Sequence, residues 1–133
     1  MDVITQSAGL QIQDGRYQIQ GVDILEMCER FGTPLFAYDA DKIKEKYDQM
    51  VDAFRGLNAK IKFPVKALSN INILKLMKKL GAGLDTVSIQ EVRLGLKAGF
   101  EPYEIIFTPN CVSFEEIQKA VDLGVMINID NIS

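Results

Sequence analysis

The sequence has no histidine and no tryptophan, and only two cysteines among 133 residues. Without histidine this stretch cannot hold a Ser–His or Cys–His nucleophile pair or a zinc–histidine site. Cys28 and Cys111 lie far apart and in no CxxC spacing. Neither a disulfide framework nor a metal site is expected, and two buried or inert thiols in a cytosolic protein fit better. No run approaches the roughly 18 apolar residues of a membrane span. The opening MDVITQSAGLQIQDG lacks the basic and apolar regions of a secretory signal. The formal charge is only −3, so there is no basic footprint for nucleic acid or anionic membrane. A cytoplasmic location is expected, with neither nucleic acid nor membrane as partner.

What is present suits a globular fold. Hydrophobic residues make up 47% and charged residues 25%, enough to build a core rather than a disordered tail or a fibrous repeat. GLQIQDGRYQIQ alternates apolar and polar residues around Asp14-Gly15, a strong hairpin signal. Val22 to Phe31 has helical spacing, with Gly32 as its stop. PLFAYD reads as a short buried strand, and a helix is expected from about Asp41 to Phe54. A regular rhythm follows: strand IKFPV, helix INILKLMKKL, strand GLDTV, helix IQEVRLGLKAG, strand EIIFT, helix FEEIQKAVDLG and strand VMINID. Such alternation means βα units and a parallel sheet, either doubly wound or part of a (β/α)8 barrel. Ser88-Ile-Gln-Glu91 and Ser113-Phe-Glu-Glu116 read as capping boxes, and Gly81, Gly99 and Gly124 as helix stops. The chain stops at Asn131-Ile132-Ser133, where a further helix cap is expected.

In a barrel, reactive groups sit where strands feed the following loops. Three such strand ends carry polar chemistry: around Lys66, around Asp85, and at Thr108-Pro109-Asn110. Alternation along the first strand puts Lys66 on the face opposite Ile61, Phe63 and Val65, so a barrel would point it inward. Desolvation there would free its amine for Schiff-base chemistry. The plainer alternative is a surface lysine closing a lysine-rich strand. Asp85 has the inward parity on the next strand, or is a turn residue. Glu91 has a structural role as the third residue of its capping box. Gly81-x-Gly83 lacks the third glycine of a dinucleotide fingerprint.

Taken together, GTPLFAYDADKIKEKY, KFPVKALSN, LGAGLDTVSIQEV, AGFEPYEIIFTPN and LGVMINIDNIS resemble the N-terminal part of the diaminopimelate decarboxylases. These are fold-type III pyridoxal-phosphate enzymes, grouped with ornithine/arginine decarboxylases and alanine racemase. The resemblance implies that Lys66 holds pyridoxal phosphate covalently, that Asp85 lies beside the cofactor, and that Glu91 forms a polar wall of its pocket. Ala67 and Ser88 would flank them. It implies an α/β fold: residues 1–40 as the N-terminal segment of a separate β-domain, and 41–133 as the first half of an alanine racemase-like (β/α)8 barrel. The implied activity is decarboxylation of meso-diaminopimelate to L-lysine by a homodimer, with this stretch incomplete and inactive alone. Leu68 stands where the family has asparagine, and Pro64 where it has alanine. Proline there removes a ladder donor. Alternatives are an ornithine/arginine-type decarboxylase, a non-catalytic pyridoxal-phosphate barrel, a regulatory homologue, or a Schiff-base aldolase.

Overall fold

A computed structural model describes residues 9–130. Residues 1–8 and the expected cap at residues 131–133 lie outside that range. The chain divides into two compact units at Gln49/Met50.

The first unit opens with β1 (Leu10–Gln13) and β2 (Arg16–Ile19), an antiparallel pair registering Leu10 with Ile19 and Gln13 with Arg16. Asp14 and Gly15 both have positive φ, 52° and 75°, the requirement of a type I′ hairpin turn. Val22–Asp23 form a short third strand, β3, against β2, so helix α1 runs from Ile24 to Phe31 and not from Val22. The displacement has a local cause. Asp23 is extended and caps the helix, its Oδ1 accepting from the Leu25 N–H at 2.7 Å. PLFAYD forms no strand, and Phe36 is 83% exposed. A strand needs a neighbour for its backbone groups, and no described strand pairs with it. Helix α2 spans Ala40–Ala53.

The second unit holds β4 (Lys62–Pro64), α3 (Ile71–Leu80), β5 (Gly83–Thr86), α4 (Ile89–Lys97), β6 (Ile105–Phe107), α5 (Phe114–Asp122) and β7 (Met126–Ile127). The four strands form one parallel sheet in chain order, β4-β5-β6-β7. An order that never reverses is that of a barrel wall and not of a doubly wound sheet. Residues in register point the same way. Phe63, Leu84 and Ile105 form one row, with Thr86, Phe107 and Ile127 in the next. Leu84, Thr86, Ile105 and Phe107 are fully buried in these rows, within a core that includes Leu74, Ile89, Val92 and Ala120 from the helices. The opposite face carries Lys62 with Gly83, and then Pro64, Asp85, Ile106 and Met126 in a row. None of these is buried. One covered face and one open face are what the first half of a (β/α)8 barrel presents.

The helix ends follow the expected punctuation. Ser88 and Ser113 accept from the N–H groups of Glu91 and Glu116, each at 3.3 Å. Gly81 at φ 93° ends α3, its N–H reaching the Lys78 carbonyl while that of Ala82 reaches Met77, which caps the orphan carbonyls.

Candidate active site at the carboxyl ends of the strands

The first strand is shorter than its alternation predicts. It ends at Pro64, and Val65–Ala67 turn as a 3-10 helix closed by the Leu68 N–H on the Val65 carbonyl at 3.0 Å. Strand parity therefore does not govern Lys66. The lysine sits on the turn, exposed, directly beyond the carboxyl end of β4, while Val65 before it is fully buried. The expected desolvation of Lys66 is not met within this chain. Pro64 keeps its register opposite Asp85. β4 is the outermost strand of the described sheet.

Asp85 occupies the open face of β5, half-buried, with its Oδ1 accepting from the Thr108 hydroxyl at 2.7 Å. Glu91 is also half-buried, and its Oε2 accepts from the Val87 N–H at 2.7 Å. That bond ties the loop after β5 to the first turn of α4. It comes from Val87 and not from the Ser88 N–H, so the return half of the expected capping box falls one residue earlier, while Glu91 still has a structural role. Lys66, Asp85 and Glu91 thus surround the carboxyl ends of adjacent strands β4 and β5. Among the described residues, no hydrogen bond or ion pair joins them to one another. Thr108 went unassigned in the sequence because its partner lies 23 positions away.

The lysine that burial does affect is Lys62, at the other end of β4. Its ammonium donates to the Glu104 carbonyl at 2.9 Å. Burial, followed by the nearby charge of Lys60, lowers its pKa, while Asp85 and Glu104 oppose the shift. Lys60, Lys62, Tyr103 and Glu104 line a cleft of about 130 Å³ at this amino end, away from the strand ends that carry Lys66 and Asp85.

Nearby, Glu104 pairs with Lys78 at 2.9 Å and accepts from the Glu101 N–H at 2.7 Å. Chiefly the Lys78 hydrogen bond, then that backbone donor, holds its pKa below the usual glutamate range. A carboxylate lowered in the folded state stabilises it above the unfolded pKa and loses that stabilisation as pH falls through the folded one. In the full-length protein, Glu104→Gln is expected to cost about 0.5 to 1 kcal/mol at neutral pH. The difference should vanish in acid below the carboxylate range. Thermal unfolding at both pH values checks this.

Cys28 is half-buried and Cys111 exposed, and both are free thiols. Of the two thiols expected to be buried or inert, Cys111 is not buried: it follows the bend at Asn110 in the loop after β6. Among the described residues no group of acidic or cysteine side chains could hold a metal ion. No described helix is long and apolar enough to cross a membrane.

Residues 40–133 match the family model described as "Pyridoxal-dependent decarboxylase, pyridoxal binding domain". The chain is 35% identical to a diaminopimelate decarboxylase of Methanothermobacter thermautotrophicus, across 92% of this chain and 29% of that protein. A crystal structure of diaminopimelate decarboxylase from M. jannaschii in complex with L-lysine superposes with a TM-score of 0.84 at 32% identity, covering 92% of this chain and 30% of that one. The lysine/ornithine decarboxylase of Vibrio vulnificus, solved with putrescine, superposes at 0.75 and 25% identity, covering 82% and 30%. The chain thus spans about 30% of the length of the relatives it matches. A four-strand parallel barrel wall with a lysine just beyond its first strand and a matching pyridoxal-binding model over residues 40–133 lead to one assignment: the chain belongs to the pyridoxal-dependent decarboxylase family.

Proposed function

We propose that residues 1–133 are the N-terminal part of a pyridoxal phosphate-dependent decarboxylase that converts meso-diaminopimelate to L-lysine, with Lys66 holding the cofactor. On this reading residues 1–40 belong to a β-domain and 41–133 form half of the barrel. The observation that carries it is an exposed primary amine at the carboxyl end of β4, next to the strand bearing Asp85.

The residues present fit the cofactor. An aldehyde needs a primary amine for covalent attachment, and Lys66 offers one on a rigid turn, open to solvent. When bound, pyridoxal phosphate supplies the electron sink that lets a carboxylate leave as CO2. The chain's own residues hold and orient. Val65, buried in the core, fixes the turn from which Lys66 projects. Asp85 offers a carboxylate to the cofactor side of the lysine. Glu91 keeps the loop after β5 in place through its bond to Val87 and walls the pocket.

Diaminopimelate is favoured over ornithine or arginine by the higher identity to the diaminopimelate decarboxylases. L-lysine, bound in the M. jannaschii structure, is the compound that loss of CO2 from diaminopimelate yields. The reading carries with it a homodimer, as the family resemblance implies, and the cytoplasmic location expected from the sequence. The test is CO2 release by the full-length protein with added cofactor. Diaminopimelate is expected to exceed ornithine and arginine in kcat/KM by about a hundredfold or more. A preference for ornithine or arginine would move the protein to the alternative specificity, and no turnover of any of them would remove the catalytic reading.

A further inference from the structure

We infer that Thr108 is a positioning residue for the cofactor site, holding the Asp85 carboxylate in place from the neighbouring strand. The inference rests on the reading that Asp85 stands beside the cofactor. Asp85 is half-buried on the open face of the sheet, where nothing in the hydrophobic core fixes its rotamer. The Thr108 hydroxyl, donating to Oδ1 at 2.7 Å, does so. Among the described residues Oδ2 accepts from no donor, which leaves that oxygen for a ligand.

Thr108 is itself well anchored. Its N–H donates to the Thr86 carbonyl at 2.8 Å, continuing the β5–β6 ladder past the end of β6. Pro109 follows and biases Thr108 towards extended backbone. The Thr86 hydroxyl returns the bond, donating to the Ile106 carbonyl at 2.9 Å. Two threonines therefore tie the carboxyl ends of β5 and β6 together in opposite directions. Thr86 is fully buried and bonds to backbone, a structural role. Thr108 is half-buried and bonds to the one carboxylate on that row, so its hydroxyl sets where a functional group points.

Valine has the shape of threonine without the donor, and serine keeps the donor. In the full-length apoprotein, Thr108→Val is expected to weaken pyridoxal phosphate binding about five- to tenfold, read by absorbance titration. Thr108→Ser should stay within about twofold of the parent. In a double-mutant cycle with Asp85→Asn, Thr108→Val should add little to the loss from Asp85→Asn alone. If Thr108→Val does not fold, Thr108→Ala carries the same comparison. Parent-like affinity in the hydroxyl-free variant, or a loss that adds in full to that of Asp85→Asn, would overturn the inference and leave the role of Asp85 standing. An Asp85→Asn protein that binds the cofactor as the parent does would instead overturn the assignment of Asp85, and the role of Thr108 with it.

Discussion

Lys66→Ala in the full-length protein is expected to lower decarboxylation on the order of a thousandfold or more, while leaving the melting temperature nearly unchanged. The two halves of this expectation have separate causes. Lys66 is exposed on a 3-10 turn and joins no ion pair among the described residues, so its stem supports little packing. Its amine, on the proposed reading, is the attachment point of the cofactor. Lys66→Arg should fail as badly, because a guanidinium stays protonated and cannot form the bond that a neutral amine forms. Assays of CO2 release beside thermal unfolding separate the loss of chemistry from the loss of fold. A Lys66→Arg protein with parent-like turnover would reduce Lys66 to the surface lysine that its spacing alone also allows.

Phe107→Ala should act in the opposite way, through stability. Phe107 is fully buried and one of the largest side chains in the core. Truncating it removes a ring and leaves a cavity, at a cost of about 3 to 5 kcal/mol. That is a large share of the roughly 5 to 15 kcal/mol by which domains are stable. The surrounding core has little slack: a methyl on Gly95 would come within 2.7 Å of Leu84 Cδ1 and 3.1 Å of Ile105 Cδ1. Relaxation around the missing ring is limited by the same close packing. Chemical denaturation of the full-length protein should show the midpoint fall, with Phe107→Leu costing less. Activity per folded molecule should drop as well, because Phe107 directly precedes Thr108, whose hydroxyl bonds to Asp85.

The parts of this fold that were legible in the sequence are those with local causes. The helix Ile71–Leu80 ends where the run INILKLMKKL does, because Asn70 caps its first turn and Gly81 takes the left-handed conformation its end requires. The hairpin turn follows from Asp14-Gly15 alone. The parallel order of four strands follows from their regular alternation with helices. Failures came where local pattern and long-range partner disagree. PLFAYD has the composition of a strand and no described strand beside it. Lys66 has inward parity only if the strand continues, and the chain turns after Pro64. At the candidate site, Lys66 and Asp85 stood out as polar groups at strand ends. Thr108 stood at the third such strand end but drew no role, since only the β5–β6 register brings its hydroxyl to Asp85.

The most direct measurement is borohydride reduction of the full-length protein with pyridoxal phosphate, followed by peptide mapping in the mass spectrometer. Two lysines of β4 and its turn compete on physical grounds. Lys62 has the pKa lowered by burial, but its ammonium is engaged with the Glu104 carbonyl at the amino end of the sheet. Lys66 is open at the carboxyl end. The account predicts one stoichiometric phosphopyridoxyl mark, on Lys66. A mark on Lys62 or on any other lysine, with Lys66 unmodified, would contradict it.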